Sequence, residues 1–398
     1  MGKKILKIVG VILLLIIAVL IAAPFFLEAK IGDIIKNNVN NNVNATLDFS
    51  DANLSLFSSF PNAEVKFKNV VLINKAPFEG DTLFKANTLD LTMGIMQLFK
   101  GTEDAIAINN IYLEGALMNV VVDKDENANY DIAVASENTT VEEPTSADGF
   151  SFDLQSYEIS NSKIYYTDKS TGITFKLDDI QHIGTGDLSL ATSELDTHTD
   201  ALVSFEMDSV SYLNKNKVKL DALIGIDLTQ NKYSFLKNEA VVNQLPLVFD
   251  GFVIVNDENQ EVDINFKTPS SDFKNFLAVI PEIYSKNIEN VTTTGDFIVN
   301  GNFNGIVDDA HIPKFNIDIK SNNASFKYPD LPKAVRNVFF DIQLNNKTGI
   351  TEDTYVDINK ASFMIDEDKF NLTSNITELM GNTKVKAHVD GSMNLANI

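Results

Sequence analysis

Apolar residues recur at every second position through most of this chain, and this period constrains the fold more than any other feature. Val65 and Phe67 alternate with Lys66 and Lys68. Successive side chains of a β-strand point to opposite faces, so the alternation predicts a strand with one apolar and one polar face. The same period predicts further strands at Leu89/Leu91/Met93, Phe150/Phe152/Leu154, Ile173/Phe175/Leu177, Val262/Ile264/Phe266, Phe315/Ile317/Ile319, Phe363/Ile365 and Val385/Ala387/Val389.

Turn-forming residues cluster between these strands, at 257–259, 301–305, 321–323 and 366–368. We therefore expect a mainly β body of antiparallel strands, mostly joined by short turns. A closed sandwich or barrel would bury the apolar faces against one another, whereas an open curved sheet would leave a long apolar trough. The strand pattern by itself fits both geometries. Only two stretches of the body, Gly94–Lys100 and Ser271–Tyr284, have a helical pattern, and both are short.

An uncharged apolar run of 20 residues, Ile8–Leu27, lies near the N-terminus. About 20 such residues are needed for a helix to cross the hydrocarbon core of a membrane. Lys3, Lys4 and Lys7 precede the run, so the positive-inside rule places the N-terminus in the cytoplasm. The alternative is a cleaved signal peptide, but the apolar part of a signal peptide is usually shorter, about 7–15 residues. We expect a single-pass anchor, with the rest of the chain across the membrane.

The segment from Glu28 to Val43 has the period of an amphipathic helix. Its apolar side carries Ile31, Ile34, Ile35, Val39 and Val43, and its polar side carries Lys30, Asp33, Lys36 and Asn37. Such a helix either packs on a core or caps one end of an apolar surface. Further along, residues 135–149 are rich in Ser, Thr, Glu and Pro, which is typical of a flexible acidic linker. The predicted organisation is therefore an anchor at 1–27, a first β module at 28–134, the linker at 135–149 and a second β region at 150–398.

The charge balance and the missing residue types exclude several classes of function. Lys and Arg number 32 against 55 Asp and Glu, giving a formal charge of −23, which argues against nucleic-acid binding. The sequence has no Cys, so thiolate metal sites, iron–sulfur clusters and cysteine nucleophiles are excluded. Its four His residues are far apart, and it contains no nucleophile elbow, phosphate loop, dinucleotide fingerprint or zincin motif. We expect a non-enzymatic protein without metal or cofactor.

One acidic cluster resembles the first half of a calcium-binding loop, with Asp123, Asp125, Asn127, Asn129 and Asp131 at alternate positions. The sixth and twelfth positions of such a loop should be Gly and Glu, but this sequence has Ala and Val there. The preceding residues also have the pattern of a strand rather than a helix. A hairpin turn, in which Asp and Asn side chains bond the local backbone, explains the cluster better.

The order of several short motifs after the anchor resembles the AsmA family of inner-membrane-anchored periplasmic proteins of diderm bacteria. The resemblance covers nearly the whole chain, and it depends on the order and spacing of the motifs, each of which is weak alone. They are Leu54–Pro61 (LSLFSSFP), Val65–Val70 (VKFKNV), Pro77–Leu83 (PFEGDTL), Ala86–Leu91 (ANTLDL), Leu98–Gly101 (LFKG), Ile111–Gly115 (IYLEG), Asp123–Asp131 (DKDENANYD), Tyr157–Tyr165 (YEISNSKIY) and Tyr328–Pro332 (YPDLP).

The resemblance implies a repeated β-groove fold and a role in outer-membrane biogenesis or homeostasis. The favoured mechanism is movement of phospholipid along an apolar groove between the inner and outer membranes, with a protein of the outer membrane or envelope as a further partner. The alternative is a non-enzymatic scaffold that regulates protein targeting to, or assembly in, the outer membrane. The predicted groove lining consists of Val65, Phe67, Leu89, Leu91, Phe152, Phe175 and Phe266.

The length of the chain departs from the usual pattern of the family it resembles. Members of this kind are usually longer, and this sequence stops at Asn394–Ile398 without a capping segment. At about 4.8 Å per strand, roughly 20–25 strands would extend only about 100–120 Å. We therefore expect that the sequence is part of a longer protein, or else that a partner completes the path.

Overall fold

The computed structural model describes residues 32–393 except 34, 38, 57–58, 100–105, 134–149, 189, 208–209, 257, 270, 278–290, 309, 330–331 and 380. The predicted anchor at 8–27 and the predicted linker at 135–149 lie outside the described residues. Among those that are described, no helix is long and apolar enough to cross a membrane. The chain divides into two compact units, Met1–Leu190 with Phe205–Ser209, and Ala191–Ser204 with Val210–Ile398. The boundaries of the predicted β modules remain a prediction.

The described residues of unit 1 form a helix followed by eight strands. The helix, α1, comprises the described residues of 32–42. The other elements are β1 (Ala45–Asp48), β2 (Asp51–Ser55), β3 (Asn62–Asn74), β4 (Thr82–Gly94), a 3₁₀ helix (Ile95–Phe99), β5 (Ile106–Glu114), β6 (Leu117–Val122), β7 (Phe150–Asp168) and β8 (Ile173–Thr185).

The described strands of unit 1 form one sheet that is antiparallel except where β7 pairs with β5 and β6. β1 and β2 pair with opposite halves of β3, and β3 pairs with β4. β5 and β6 both pair with β4 and are separated by Gly115, whose φ of 60° interrupts the strand. β7 runs parallel to both β5 and β6, and β8 returns antiparallel to β7. The parallel pairing was not predicted, because alternation of apolar residues carries no information about strand direction.

Unit 2 is built from strands that pair mainly in sequence order. They are β9 (Thr192–Met207, of which residues 192–204 belong to this unit), β10 (Val210–Asp227), β11 (Lys232–Val242), β12 (Leu245–Val255), β13 (Gln260–Lys267), β14 (Ser271–Asp272), β15 (Thr292–Val307), β16 (Lys314–Lys327), β17 (Val335–Asn346), β18 (Tyr355–Ile365), β19 (Asp368–Thr377) and β20 (Lys384–Ser392). A short helix, α2 (Phe273–Leu277), and a 3₁₀ helix (Thr351–Asp353) complete the described elements. Each strand is antiparallel to its neighbours from β10 to β20.

The mainly β prediction is confirmed, with antiparallel pairing predominant and few helices. The turns predicted at 257–259 and 366–368 separate β12 from β13 and β18 from β19. The helical stretch predicted at 94–100 is a 3₁₀ helix at Ile95–Phe99. Of the stretch predicted at 271–284, residues Phe273–Leu277 are helical, and 278–284 lie outside the described residues.

Two predicted turns, at 301–305 and 321–323, are wrong, because both segments lie inside strands. Gly301 is in β15 because the Phe266 ring covers it: a Cβ there would lie 2.4 Å from the ring. A ring placed over a strand glycine shields backbone that has no side chain of its own. Asn323 has a φ of 57° beside an irregularity in the β16–β17 register, so it forms a bulge instead of ending the strand.

Candidate functional site

One face of the unit 2 sheet carries an apolar row that crosses eight strands. Residues directly opposite each other on paired strands share a face, so the strand registers define the row. Its members, from β12 to β20, are Phe249, Phe266, Gly301, Ile317, Leu344, Val356, Ile376 and Val385. Neighbouring rows on this face are also largely apolar and include Ile264, Phe303, Phe315, Val299, Ile319 and Ile342. We call this surface the apolar face.

The opposite face of the same strands is polar. One of its rows contains Asn265, Asn302, Asn316 and Asn345 on β13, β15, β16 and β17. Amide and carboxylate side chains bond across neighbouring strands: Gln343 donates to Asp318 at 2.7 Å, and Asn375 donates to Asp357 at 2.8 Å. Because the two faces alternate residue by residue, a slip of one position in register would place the amides of one strand beside the apolar side chains of the next. The sequence therefore holds this sheet in one register.

The apolar face is open over much of its area. Most of its side chains are half-buried, and at its β20 end Val385 and Val389 are 61% and 66% exposed. Leu245, Phe297 and Ala324 form a fully buried cluster with Phe273 of α2. The interior of a closed sandwich would bury the side chains of the apolar face from both sides. Of the two geometries that the alternation allowed, unit 2 has the open one.

Unit 1 presents a second apolar surface, which α1 covers. Val65 lies opposite Leu91 and Phe67 lies opposite Leu89 on the β3–β4 pair, and Leu89 in turn lies opposite Leu113 on β5. Ile35 of α1 packs against the buried cluster that contains Val65 and Phe67. Between α1 and the sheet remains a partly open cavity of about 300 Å³, which we call the α1 cavity. The described residues that line it are all apolar: Ile35, Val39, Leu47, Phe49, Phe67, Val70, Phe84, Leu89, Leu91, Ile108, Ile111 and Leu113.

Polar contacts between α1 and the segment of β1 and Phe49 hold the helix in place. Lys36 Nζ lies 2.5 Å from Asp48 Oδ1 and 3.2 Å from the carbonyl oxygen of Phe49, and it stands 4.2 Å from the centre of the Phe49 ring. The Asn40 side chain accepts from the backbone N–H of Leu47 at 2.6 Å and donates to its carbonyl at 3.2 Å. The amphipathic pattern is confirmed for Ile35 and Val39, which face the sheet. It did not predict that Lys36 is a tether.

The structure places the predicted lining residues at three locations. Val65, Phe67, Leu89 and Leu91 are adjacent, and the last three line the α1 cavity while Val65 belongs to the buried cluster beneath it. Phe175 pairs with Tyr166 at the other side of unit 1. Phe266 lies on the apolar face of unit 2, stacked on Phe303 at 5.6 Å between ring centres. Phe152 pairs with Ile108 through the backbone, and its side chain lies outside the described part of the chain.

Phe266 is the one member of the apolar face that was among the predicted lining residues, and its neighbours Phe303 and Leu344 show why the others were missed. Phe303 was missed because it stands between Gly301 and Gly305, which indicated a turn. Leu344 was missed although a signal was present, since Val338, Phe340, Ile342 and Leu344 alternate along β17.

Ionisable side chains pair across neighbouring strands in both units. Lys66 Nζ lies 3.0 Å from Asp90 Oδ2, on the face of β3 and β4 opposite the α1 cavity. Burial raises the pKa of Asp90, and the hydrogen bond to Asp90 raises the pKa of Lys66. In unit 2, the hydrogen bond to Asp221 raises the pKa of His198. The twelve described residues that line the α1 cavity include no ionisable group.

The acidic cluster at 123–131 is a hydrogen-bonded turn, as predicted. Asp123 Oδ1 accepts from the backbone N–H groups of Asp125 and Asn127 at 2.8 and 3.0 Å. Asn129 is 1% exposed; its Oδ1 accepts from Val121 N and its Nδ2 donates to Asn119 O, both at 2.8 Å. Among the described residues, no group of three acidic or His side chains is arranged to hold a metal ion.

The sequence model of the AsmA family matches residues 1–233. The chain belongs to the AsmA family. The match covers all of unit 1 and continues into β11 of unit 2, and it confirms the resemblance found from the motifs. Neither a curated protein nor a solved structure gives a match to the chain. Membership of this family points to a function connected with the cell envelope and the outer membrane.

Proposed function

We propose that this AsmA-family chain binds the acyl chains of phospholipids on its apolar surfaces and conducts them between the inner and outer membranes. The observation that carries the proposal is the apolar row of unit 2, which crosses eight strands without a polar side chain and is only partly buried. At about 4.8 Å per strand, this row is about 34 Å long. Each methylene group that leaves water on such a surface contributes about 0.8 kcal/mol.

The two-faced sheet supports a conduit in which the headgroup stays in water. An acyl chain lying along Ile317 and Leu344 would exchange water for apolar contact, while a charged headgroup would be costly to bury and remains on the open side. Transfer of this kind breaks and forms no covalent bond, so we propose no enzymatic activity, metal or cofactor. The predicted helix at 8–27 would anchor the chain in the inner membrane, with its N-terminus in the cytoplasm and its body in the periplasm.

A scaffold that guides outer-membrane proteins is the second candidate, and β20 favours it. All nine residues of this strand are exposed, and within the described residues its only partner is β19. The other edge of β20 can accept a further strand, either of a longer form of this chain or of another protein, and the scaffold requires the second. A proline at Ala387 or His388 would remove a backbone donor from β20. Loss of crosslinks to envelope proteins with retention of bound lipid would support the scaffold.

The conduit is tested with the full-length chain, purified in mild detergent and analysed for co-purified phospholipid by mass spectrometry. Ile317→Glu combined with Leu344→Glu places two charges on a directly opposed pair of the apolar face. Asn302→Glu combined with Asn316→Glu places the same charges on a directly opposed pair of the polar face. We expect loss of phospholipid from the first variant and retention in the second, with both resisting proteolysis as the parent does.

Equal phospholipid content in the two variants would contradict the proposal. If the apolar-face pair is digested faster than the parent, the serine versions of the same two substitutions provide the comparison. They remove apolar surface without adding charge, and they should still lower the bound phospholipid.

A further inference from the structure

The α1 cavity differs from the apolar face in having a limited volume. It measures about 300 Å³ and is bounded by α1 on one side and by β1, β3, β4 and β5 on the other. All twelve lining side chains are aliphatic or phenylalanine, so none of them offers a hydrogen bond to a ligand. A polar group entering this space would lose its bonds to water without replacement. The chemistry of the cavity therefore selects hydrocarbon.

The tether of α1 explains why the cavity persists. An empty apolar space deprives its lining of contacts, so the helix would be expected to settle onto the sheet. Lys36 and Asn40 oppose this, since their bonds to Asp48, Phe49 and Leu47 fix the distance between α1 and β1. The side chains that face the sheet, Ile35 and Val39, are then too short to fill the space beneath them.

The volume sets the amount of hydrocarbon that the cavity can hold. A methylene group and a water molecule take up similar space, about 30 Å³, so the cavity has room for roughly ten methylene groups. Two acyl chains side by side would each place only about half of these methylene groups in the cavity. A single acyl chain would place all of them there.

We propose that the α1 cavity is a binding site for one acyl chain and that it selects ligands by chain length, up to roughly ten carbons. This inference rests on the proposed lipid function and adds a size limit that the open apolar face of unit 2 does not have. Carbons beyond the limit remain in water at the open side of the cavity. They add nothing to the affinity there.

Saturated fatty acids of six to sixteen carbons test the size limit on the full-length chain carrying Ile317→Glu and Leu344→Glu, so that the open apolar face of unit 2 does not compete for the ligand. Each is titrated against a bound fluorescent fatty acid in detergent micelles. Its affinity is then referred to the fatty acid free in water, by using its measured partition into the same micelles without protein. We expect affinity to rise about fourfold per added methylene group, the factor that corresponds to its transfer from water. The rise should stop near ten carbons.

Two variants of α1 separate the cavity from the rest of the chain. Val39→Phe places a larger side chain in the lining and should move the plateau to a shorter fatty acid. Asn37→Phe places the same side chain on the exposed side of the helix and should leave the plateau unchanged. If Val39→Phe loosens α1, faster hydrogen exchange in residues 35–42 will show it, and Val39→Leu then replaces it as a smaller filling substitution.

The outcome separates this inference from the proposed function. Affinity that rises through sixteen carbons and ignores Val39→Phe would overturn the size-limited site, although phospholipid on the apolar face would still be expected. Absence of fatty-acid displacement would overturn it too. Failure of the proposed function is detected independently, by equal phospholipid in the two glutamate pairs of unit 2.

Discussion

Asn129 should contribute more to the stability of unit 1 than any other member of the acidic cluster. Asn129→Ala removes two side-chain hydrogen bonds and leaves the N–H of Val121 and the carbonyl of Asn119 without these partners in a largely buried place. Each lost hydrogen bond, together with the donor or acceptor that it leaves unsatisfied, costs about 1–2 kcal/mol. The expected cost is therefore about 2–4 kcal/mol. Asn127→Ala, at an exposed position where the backbone bonds remain, should cost less than about 1 kcal/mol.

Hydrogen exchange measured by mass spectrometry reports this local loss, because a chain with two compact units is not expected to unfold in one step. In peptides covering residues 117–133, amide exchange should be roughly 30- to 1000-fold faster in Asn129→Ala than in the parent, since 1.4 kcal/mol corresponds to a factor of ten. Exchange in Asn127→Ala should stay within a few-fold of the parent. Equal exchange in both variants would refute the hydrogen-bond argument. Protection of 123–131 by added calcium would refute the assignment of the cluster to a turn.

Three further predictions concern single positions. Gly301→Val should displace the Phe266 ring and destabilise unit 2 by about 1–3 kcal/mol. Faster proteolysis of the variant would report this loss, and an unchanged rate of proteolysis would mean that the ring moves freely. The hydrogen bond to Asp221 raises the pKa of His198, so this pair should stabilise unit 2 fully below about pH 6.5, the pKa of an unfolded His. The contribution should fade as the pH rises through the higher pKa of the folded state. An NMR titration that gives His198 a pKa at or below about 6.5 would contradict this. Burial opposes ionisation of Asp168, but hydrogen bonds from the two residues of its turn outweigh it and hold its pKa at about 2. Its stabilising effect is thus present above the unfolded pKa and is lost as the pH falls toward 2, and a carbon-13 titration of the carboxyl that gives an ordinary value would overturn the assignment.

Sequence alternation predicted the faces of individual strands well, because side-chain direction in a strand is a local property. Alternation identified Val65, Phe67, Leu89 and Leu91 as apolar strand positions, and they are adjacent because the β3–β4 hairpin places them in matching register. A register that placed apolar side chains opposite polar ones would destabilise the sheet. The alternation therefore also restricts how two strands can pair.

Features that depend on distant residues were not predicted. The Gly301–Gly305 segment has turn composition, and only the ring of Phe266, more than thirty positions away, explains why it stays extended. Lys36 falls on the polar side of a helical wheel, which does not reveal that Asp48 and Phe49 approach it from β1. The α1 cavity likewise depends on a helix-to-sheet distance that no local pattern encodes.

The central claim, that acyl chains lie on one face of the unit 2 sheet, is tested most directly by photo-crosslinking along β16 in living cells. A benzophenone amino acid is placed in turn at each position from 315 to 319, and adducts are identified by mass spectrometry. Phospholipid adducts should form at Phe315, Ile317 and Ile319 and be absent at Asn316 and Asp318, following the period of the strand. Adducts of equal yield at neighbouring positions, or none at any of the five, would contradict the account.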